Sequence, residues 1–151
     1  ILAIVSGPEP QRSLFEQLLR QQLKGKKALL VLGKPEAQID EQDGDLRIVS
    51  HLNGQALNQA MANAEVVVSR SGYSTLMDLA AVEKKAIFIP TPGQTEQLYL
   101  AEHFHKSRIA FAMHQKDCDL EVALKESANF TGFAQHSEPT NWSDLFTLFE
   151  A

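Results

Sequence analysis

The sequence predicts a doubly wound α/β domain, and three observations carry that expectation. Short, continuously apolar runs recur along the chain with segments of helical apolar spacing between them, the pattern of parallel strands joined by helical crossovers. The 151 residues are 44% hydrophobic and 22% charged, the balance of one globular domain rather than of a disordered tail. No apolar run approaches the ~20 residues that a membrane-spanning helix needs, so the apolar residues are there to fill a core.

Residues 1–5 (ILAIV) are the first expected strand, apolar throughout because both faces of a parallel sheet are covered. The run is too short for a signal-peptide core and has no basic residue before it. Residues 12–23 place Leu14, Phe15, Leu18, Leu19 and Leu23 on one helical face, and Ser13 and Glu16 have capping-box spacing, which sets the helix start near Pro10 to Ser13. Residues 28–32 are the second strand. Residues 33–45 are polar and turn-rich and read as a loop, and 46–50 (LRIVS) are the third strand. A helix over 55–63 carries Leu57, Ala60 and Met61, with Ala64 just beyond it. A strand over 66–69 (VVVS) and a helix over 74–82 follow. The strand at 86–89 is stopped by Pro90 and Pro92, which cannot continue a central ladder. Residues 95–106 read as a helix, 109–113 as a last short strand and 119–127 as a helix. Residues 129–140 are the expected linker to a final helix, capped by Asn141, with Trp142, Leu145, Phe146 and Phe149 on one stripe. The sum is a Rossmann-like parallel sheet of about six strands with helices on both faces, in a single domain over residues 1–151.

Charge narrows the function classes. Fourteen basic and nineteen acidic side chains give a net charge of −5, which argues against a general nucleic-acid binder. The basic runs Lys24-Gly25-Lys26-Lys27 and Lys84-Lys85 follow helical segments, where cations complement the carbonyl end of the dipole. A single cysteine, Cys118, cannot form an internal disulfide and suits a reducing, cytoplasmic compartment; Asp117 and Asp119 beside it disfavour its thiolate. His103 and His105 point to different sides of their helix, and no Asp-x-Asp pair adjoins a site, so neither a metal nor a cofactor is expected. The chain opens on Ile rather than Met, directly on a strand-like run, as a piece of a longer protein does.

Open sheets of this kind bind ligands outside the carboxyl ends of their strands, so the loops after Val5, Ser50, Ser69 and Ile89 are the candidates. The first, Ser6-Gly7-Pro8-Glu9-Pro10, is neither a P-loop nor Gly-x-Gly-x-x-Gly. It reads equally as a glycine turn bringing backbone N–H groups to an anion or as a tight turn punctuated by proline. After Ser69 and Arg70, the residues Ser71, Gly72, Tyr73, Ser74 and Thr75 stand at a helix N-terminus, where a phosphate meets unpaired donors. Asp78 follows three residues past Thr75, placed either to accept from ribose hydroxyls or to complete a capping box with Thr75. Glu96 and Gln97 open the next helix. A carboxylate and a carboxamide suit sugar hydroxyls, although an acid at that position also complements the dipole.

Taken in order, Val66-Val67-Val68-Ser69-Arg70-Ser71-Gly72, a helix with Asp78, Ile87-Phe88-Ile89-Pro90 and Glu96-Gln97 resemble the C-terminal, donor-binding half of B-type (GT-B) glycosyltransferases, family 28 in particular. The likeness runs from Ser6 to about Ala112. It implies a nucleoside-diphosphate sugar donor, UDP-linked, for an inverting transfer of a hexosyl or N-acetylhexosaminyl group. Ser6 and Gly7 then face the diphosphate and the acceptor cleft. The Leu52 backbone, after His51, reads the uracil edge, and Gly72, Tyr73, Ser74 and Thr75 hold the phosphates. Asp78 takes the place of a family glutamate on the ribose, and Glu96 and Gln97 contact the sugar. The sequence departs from the family pattern at Pro8 and Pro10, at the shorter Asp78, at Leu98 in place of a second glutamine, and at His51 in place of an aromatic. The resemblance also implies that the acceptor and the catalytic base belong to an N-terminal domain absent from this chain, which would bind donor without completing transfer. The full-length enzyme would be cytoplasmic or peripheral to the membrane. A nucleotide-sugar hydrolase or epimerase on the same fold, and a non-catalytic nucleotide-binding module, are the alternatives.

Overall fold

The computed structural model describes residues 1–135. Seven strands form one sheet in the order β3-β4-β2-β1-β5-β6-β7. They are β1 (Leu2–Ile4), β2 (Ala28–Val31), β3 (Asp40–Asp43), β4 (Leu46–Val49), β5 (Val66–Ser69), β6 (Lys85–Phe88) and β7 (Phe111–Ala112). The helices are α1 (Gln11–Gln22), α2 (Gly54–Asn63), α3 (Tyr73–Ala81), α4 (Thr95–Lys106) and α5 (Leu120–Ser127), with short 3-10 turns at Gln115–Asp117 and Phe133–Gln135. Every pairing is parallel except β3 with β4, so the expected Rossmann-like fold is present.

The period of two along β1 shows why its apolar run is continuous. Ala3 and Val5 enter one core with Phe15 and Leu19 of α1, Leu23 at its C-cap and Leu120 of α5, while Leu2 enters the other with Met61 of α2, Leu76 and Leu79 of α3, and Phe104 of α4. Full burial of side chains of this size stabilises the fold by roughly 1.5–3 kcal/mol each. Leu14, expected on the packing face of α1, is instead exposed.

Four expectations are corrected. The sheet has seven strands rather than about six, because β3 forms inside the segment read as a loop. Its sequence, Asp-Glu-Gln-Asp, is exposed throughout and has no apolar alternation to detect. What holds it is the backbone ladder to β4 and the turn at Gly44 (φ +59°), with Asp40 and Arg47 paired across the ladder. Charge along such an edge also discourages pairing with another chain. The Ser13–Glu16 capping box does not form. Helix α1 follows Pro10, the Ser13 N–H donates to the carboxylate of Glu9 at 3.2 Å, and Glu16 turns inward to Arg20 and Lys34. The described part of the expected linker, 129–135, packs into the core: Phe130 and Phe133 are buried, and Phe133 meets Phe88 and Phe104 edge-on or tilted. Gly132 there, at φ +75°, lies so close to Lys85 that an added Cβ would sit 2.9 Å from Cγ of that lysine. The last strand is only Phe111–Ala112, because Ile109 and Ala110 leave the ladder to be buried beneath α4. The expected final helix, with Trp142 and Phe149, lies outside the described residues.

Candidate functional site

The sheet order reverses direction between β1 and β5: the chain winds from β1 outward through β2, then returns to lay β5 on the other side of β1. In open α/β sheets the ligand crevice opens at the carboxyl ends of the strands at this point. Three of the expected loops meet there. Ser6 and Gly7 leave β1, Arg70 to Gly72 leave β5, and Pro90 to Gln94 leave β6. Gly7 has φ +108°, and a Cβ on it would touch Thr91 Oγ1 at 3.5 Å, so the first and third loops are in contact. Ser71 Oγ donates to the Gln97 carbonyl at 2.7 Å, which ties the second loop to the first turn of α4.

At the start of α3 the N-cap is Gly72, in extended conformation, with no side-chain cap. Tyr73, Ser74 and Thr75 are therefore the first three helical positions, and the N–H groups of Ser74 and Thr75 have no partner within the helix. The capping-box alternative for Thr75 and Asp78 is excluded, since it requires Thr75 at the cap itself. Ser74 is exposed, and Thr75 and Asp78 are half-exposed. Leu52 follows β4 and packs on the apolar cluster that holds Leu76 and Leu79 of α3, so it lies on the same side of the sheet as α3. Ser6, Gly7 and Glu96 are exposed.

Two expected site residues use their side chains differently. Ser71 is fully buried and its hydroxyl is committed to the Gln97 carbonyl. Gln97 accepts from the Thr91 N–H at 2.9 Å and donates to Gln94 Oε1, so its carboxamide folds the third loop from within.

Arg70 went unassigned in the sequence, and it is the largest fully buried side chain at this end of the sheet. One terminal nitrogen donates to the carbonyls of Ile89 (2.8 Å) and Pro90 (3.2 Å); the other donates to the Gln11 carbonyl (3.2 Å) and to Gln115 Oε1 (2.7 Å). Its guanidinium lies over the Phe15 ring, 3.9 Å from the centroid. Burial pulls its pKa down to about 10, which leaves it cationic at neutral pH. The available signal was an arginine directly after a strand of three valines and a serine.

Cys118 and His105 are built into the fold. Burial, with Asp119 adding to it, pushes the Cys118 thiol up to about 11, so the expected inertness holds with burial as its main cause. His105 Nδ1 accepts from the Ala112 N–H at 3.0 Å and packs against Phe111 and Phe130; burial and Arg108 hold its pKa below the usual value. Among the described residues, no group of three or more His, Cys, Asp or Glu stands where it could hold a metal ion. A pocket of about 510 Å³ between α4 and β7, lined by Leu98, Ala101, His105 and Met113, shares only Pro90 with the switch-point loops.

Residues 16–138 match the profile of the glycosyltransferase family 28 C-terminal domain. The chain is 25% identical over 126 residues to a UDP-N-acetylglucosamine--N-acetylmuramyl-(pentapeptide) pyrophosphoryl-undecaprenol N-acetylglucosamine transferase of Sulfurihydrogenibium sp. (strain YO3AOP1), a match that takes in 81% of this chain and 35% of that protein. The solved structure of MurG from Acinetobacter baumannii shares the fold with a TM-score of 0.62 at 17% identity, over 99% of this chain and 48% of that one. The solution structure of ALG13 does so with a TM-score of 0.60 at 13% identity, over 95% of this chain and 92% of that one. The chain thus spans about a third of the length of the Sulfurihydrogenibium transferase. Since the family profile takes in most of the sequence, the chain belongs to glycosyltransferase family 28, as its C-terminal domain.

Proposed function

We propose that this domain binds a UDP-sugar and serves as the donor half of an inverting glycosyltransferase, moving a hexosyl or N-acetylhexosaminyl group. The observation that carries the reading is the uncapped start of α3, open at the point where the loops from β1, β5 and β6 converge. The diphosphate sits against the N–H groups of Ser74 and Thr75, with Thr75 Oγ1 as a further donor and the positive end of the helix dipole behind them. Such a site needs no basic surface, which suits a net charge of −5. Asp78, one turn on, accepts from the ribose hydroxyls, and the Leu52 backbone reads the uracil edge. Glu96 holds the sugar, with Gln97 at the base of its loop, and Ser6 and Gly7 close the side toward the acceptor.

As the glycosidic bond breaks, charge grows on the leaving diphosphate, and preoriented N–H groups stabilise it without reorganising. This chemistry calls on neither metal nor cofactor. The base that activates the acceptor, and most of the acceptor contacts, come from a preceding domain. N-acetylhexosamine is favoured as the sugar because the Sulfurihydrogenibium relative is named for UDP-N-acetylglucosamine. A cytoplasmic setting, peripheral to the membrane in the full-length protein, fits this donor. Among the described residues no helix is long and apolar enough to cross a membrane.

Titration of the 151-residue chain with UDP and UDP-N-acetylglucosamine by calorimetry tests the reading. Saturable binding is expected, weakened on the order of tenfold by Thr75→Ala or Asp78→Ala, the cost of one hydrogen bond to a charged group. Absence of saturable binding by the unaltered chain, or indifference to both substitutions, would overturn it.

A further inference from the structure

The layer beneath the crevice is short of acceptors. Three buried side-chain atoms among the described residues have no hydrogen-bond partner, Ser69 Oγ, Arg70 Nε and Thr91 Oγ1. All three stand at the carboxyl ends of β5 and β6 or in the loops that leave them. Arg70 is 1% exposed, and every group that it does reach is neutral: three carbonyls, one carboxamide and a phenyl face. No carboxylate among the described residues pairs with it. A buried ion without a counter-ion is costly, and folds normally pair it.

The same molecule shows the paired alternative. Glu16, also buried, is met by both Arg20 and Lys34. The partners of Arg70 are instead the segments that frame the switch point. Gln11 opens α1, the helix that follows Ser6 and Gly7; Ile89 and Pro90 begin the loop that carries Thr91 to Gln94; and Arg70 itself precedes Ser71 and Gly72.

We infer that Arg70 is a positioning residue with a second duty: it locks the three loops and supplies the buried positive charge that the diphosphate of the donor neutralises. The inference rests on the nucleotide-binding reading above. Arg70 is too deeply buried to touch the ligand, so it acts through the loops it holds and through its field. Burial lowers the local dielectric and weakens screening by salt, which makes one buried cation felt further than a surface lysine. The charge is also in place before the ligand arrives, as electrostatic preorganisation requires.

A purely mechanical lock and a charged lock differ in one measurable respect. Loosened loops weaken the diphosphate whether or not the charge is kept, whereas a charged lock loses its preference for the anion only when the charge itself is removed. Dissociation constants for uridine and UDP are therefore compared by NMR titration for the unaltered chain, Arg70→Lys and Arg70→Gln. Arg70→Lys is expected to weaken both ligands through poorer loop contacts yet keep the preference for UDP over uridine within about threefold, while Arg70→Gln lowers that preference on the order of tenfold. Equal proportional losses of uridine and UDP in Arg70→Gln, or a preference lost as fully in Arg70→Lys, would overturn the inference. If circular dichroism shows that Arg70→Gln does not fold, Arg70→Lys decides alone: preference kept supports the inference, and preference lost overturns it. Failure of the unaltered chain to bind UDP overturns the nucleotide reading and this inference together. Binding of UDP with an Arg70-independent preference overturns only the latter.

Discussion

Of the helices that begin at the carboxyl end of the sheet, α2 and α3 are finished in opposite ways, and α1 and α4 share with α3 the lack of a side-chain cap. At the start of α2, Asn53 Oδ1 accepts from the Ala56 N–H at 2.8 Å, a complete side-chain cap. At the start of α3, Gly72 holds the same extended cap geometry and offers nothing. A third helix, α5, is capped by Asp119, which accepts from both Glu121 and Val122. Relative to a glycine cap, caps of this kind stabilise by a few tenths of a kcal/mol, so the open end of α3 is a small local sacrifice of stability. It falls where the loops from β1, β5 and β6 converge, and it leaves the N–H groups of Ser74 and Thr75 without a helical partner at the place the ligand is proposed to occupy. The buried charges repeat the contrast, with Glu16 doubly paired beside β3 and Arg70 unpaired beneath the crevice.

The strongest way to break the contrast is to cap α3. Gly72 has φ −76° and a Cβ there meets nothing within 4 Å, so a side chain is tolerated. Gly72→Asp would place a carboxylate on the N–H groups that the diphosphate needs. UDP affinity is expected to fall on the order of a hundredfold in calorimetric titration, while stability to urea holds or rises by about 0.5–1 kcal/mol. Loss of both stability and binding would mean that the helix start is structural rather than reserved.

The reverse change is smaller. Asn53→Ala removes the α2 cap and should cost about 1 kcal/mol of stability in the same urea assay, with UDP affinity changed less than about twofold. A large loss of binding would show that both helix starts serve the ligand.

The smallest effect belongs to the paired charge. Burial alone would raise the Glu16 pKa, but hydrogen bonds from Lys34 and Arg20 outweigh it and hold the carboxyl below the usual glutamate value. A carboxyl depressed in the folded state contributes stability above its unfolded pKa, and that contribution drains away as pH falls below about 4.3. Thermal midpoints from pH 6 down to 3 should therefore drop more steeply in the unaltered chain than in Glu16→Gln; parallel curves would contradict the pairing.

Sequence reading succeeded where burial writes itself into composition. The runs at β1, β2, β5 and β6 are apolar because both their faces are covered, and the loops after them could be placed before any coordinates. It failed where the holding force is backbone or long-range. Strand β3 has no apolar residue and exists through its ladder to β4. Glycine and threonine in 129–135 look like linker, yet Phe130 and Phe133 anchor that stretch in the core. At the candidate site, the helix start at Gly72 to Thr75 was legible because it follows directly from its own residues. The duties of Ser71, Gln97 and Arg70 were not, since their partners lie elsewhere in the chain: Ser71 reaches Gln97, and Arg70 reaches Gln11 and Gln115.

The central claim is that the bare end of α3 receives the diphosphate. Amide chemical-shift mapping of the 151-residue chain during UDP titration tests it most directly. The largest saturable shifts are expected on the N–H groups of Ser74 and Thr75, with a further shift at Leu52 from the uracil edge and little change at Gln55 and Ala56 under the Asn53 cap. Shifts centred on the α2 start, or on the pocket between α4 and β7, would contradict it.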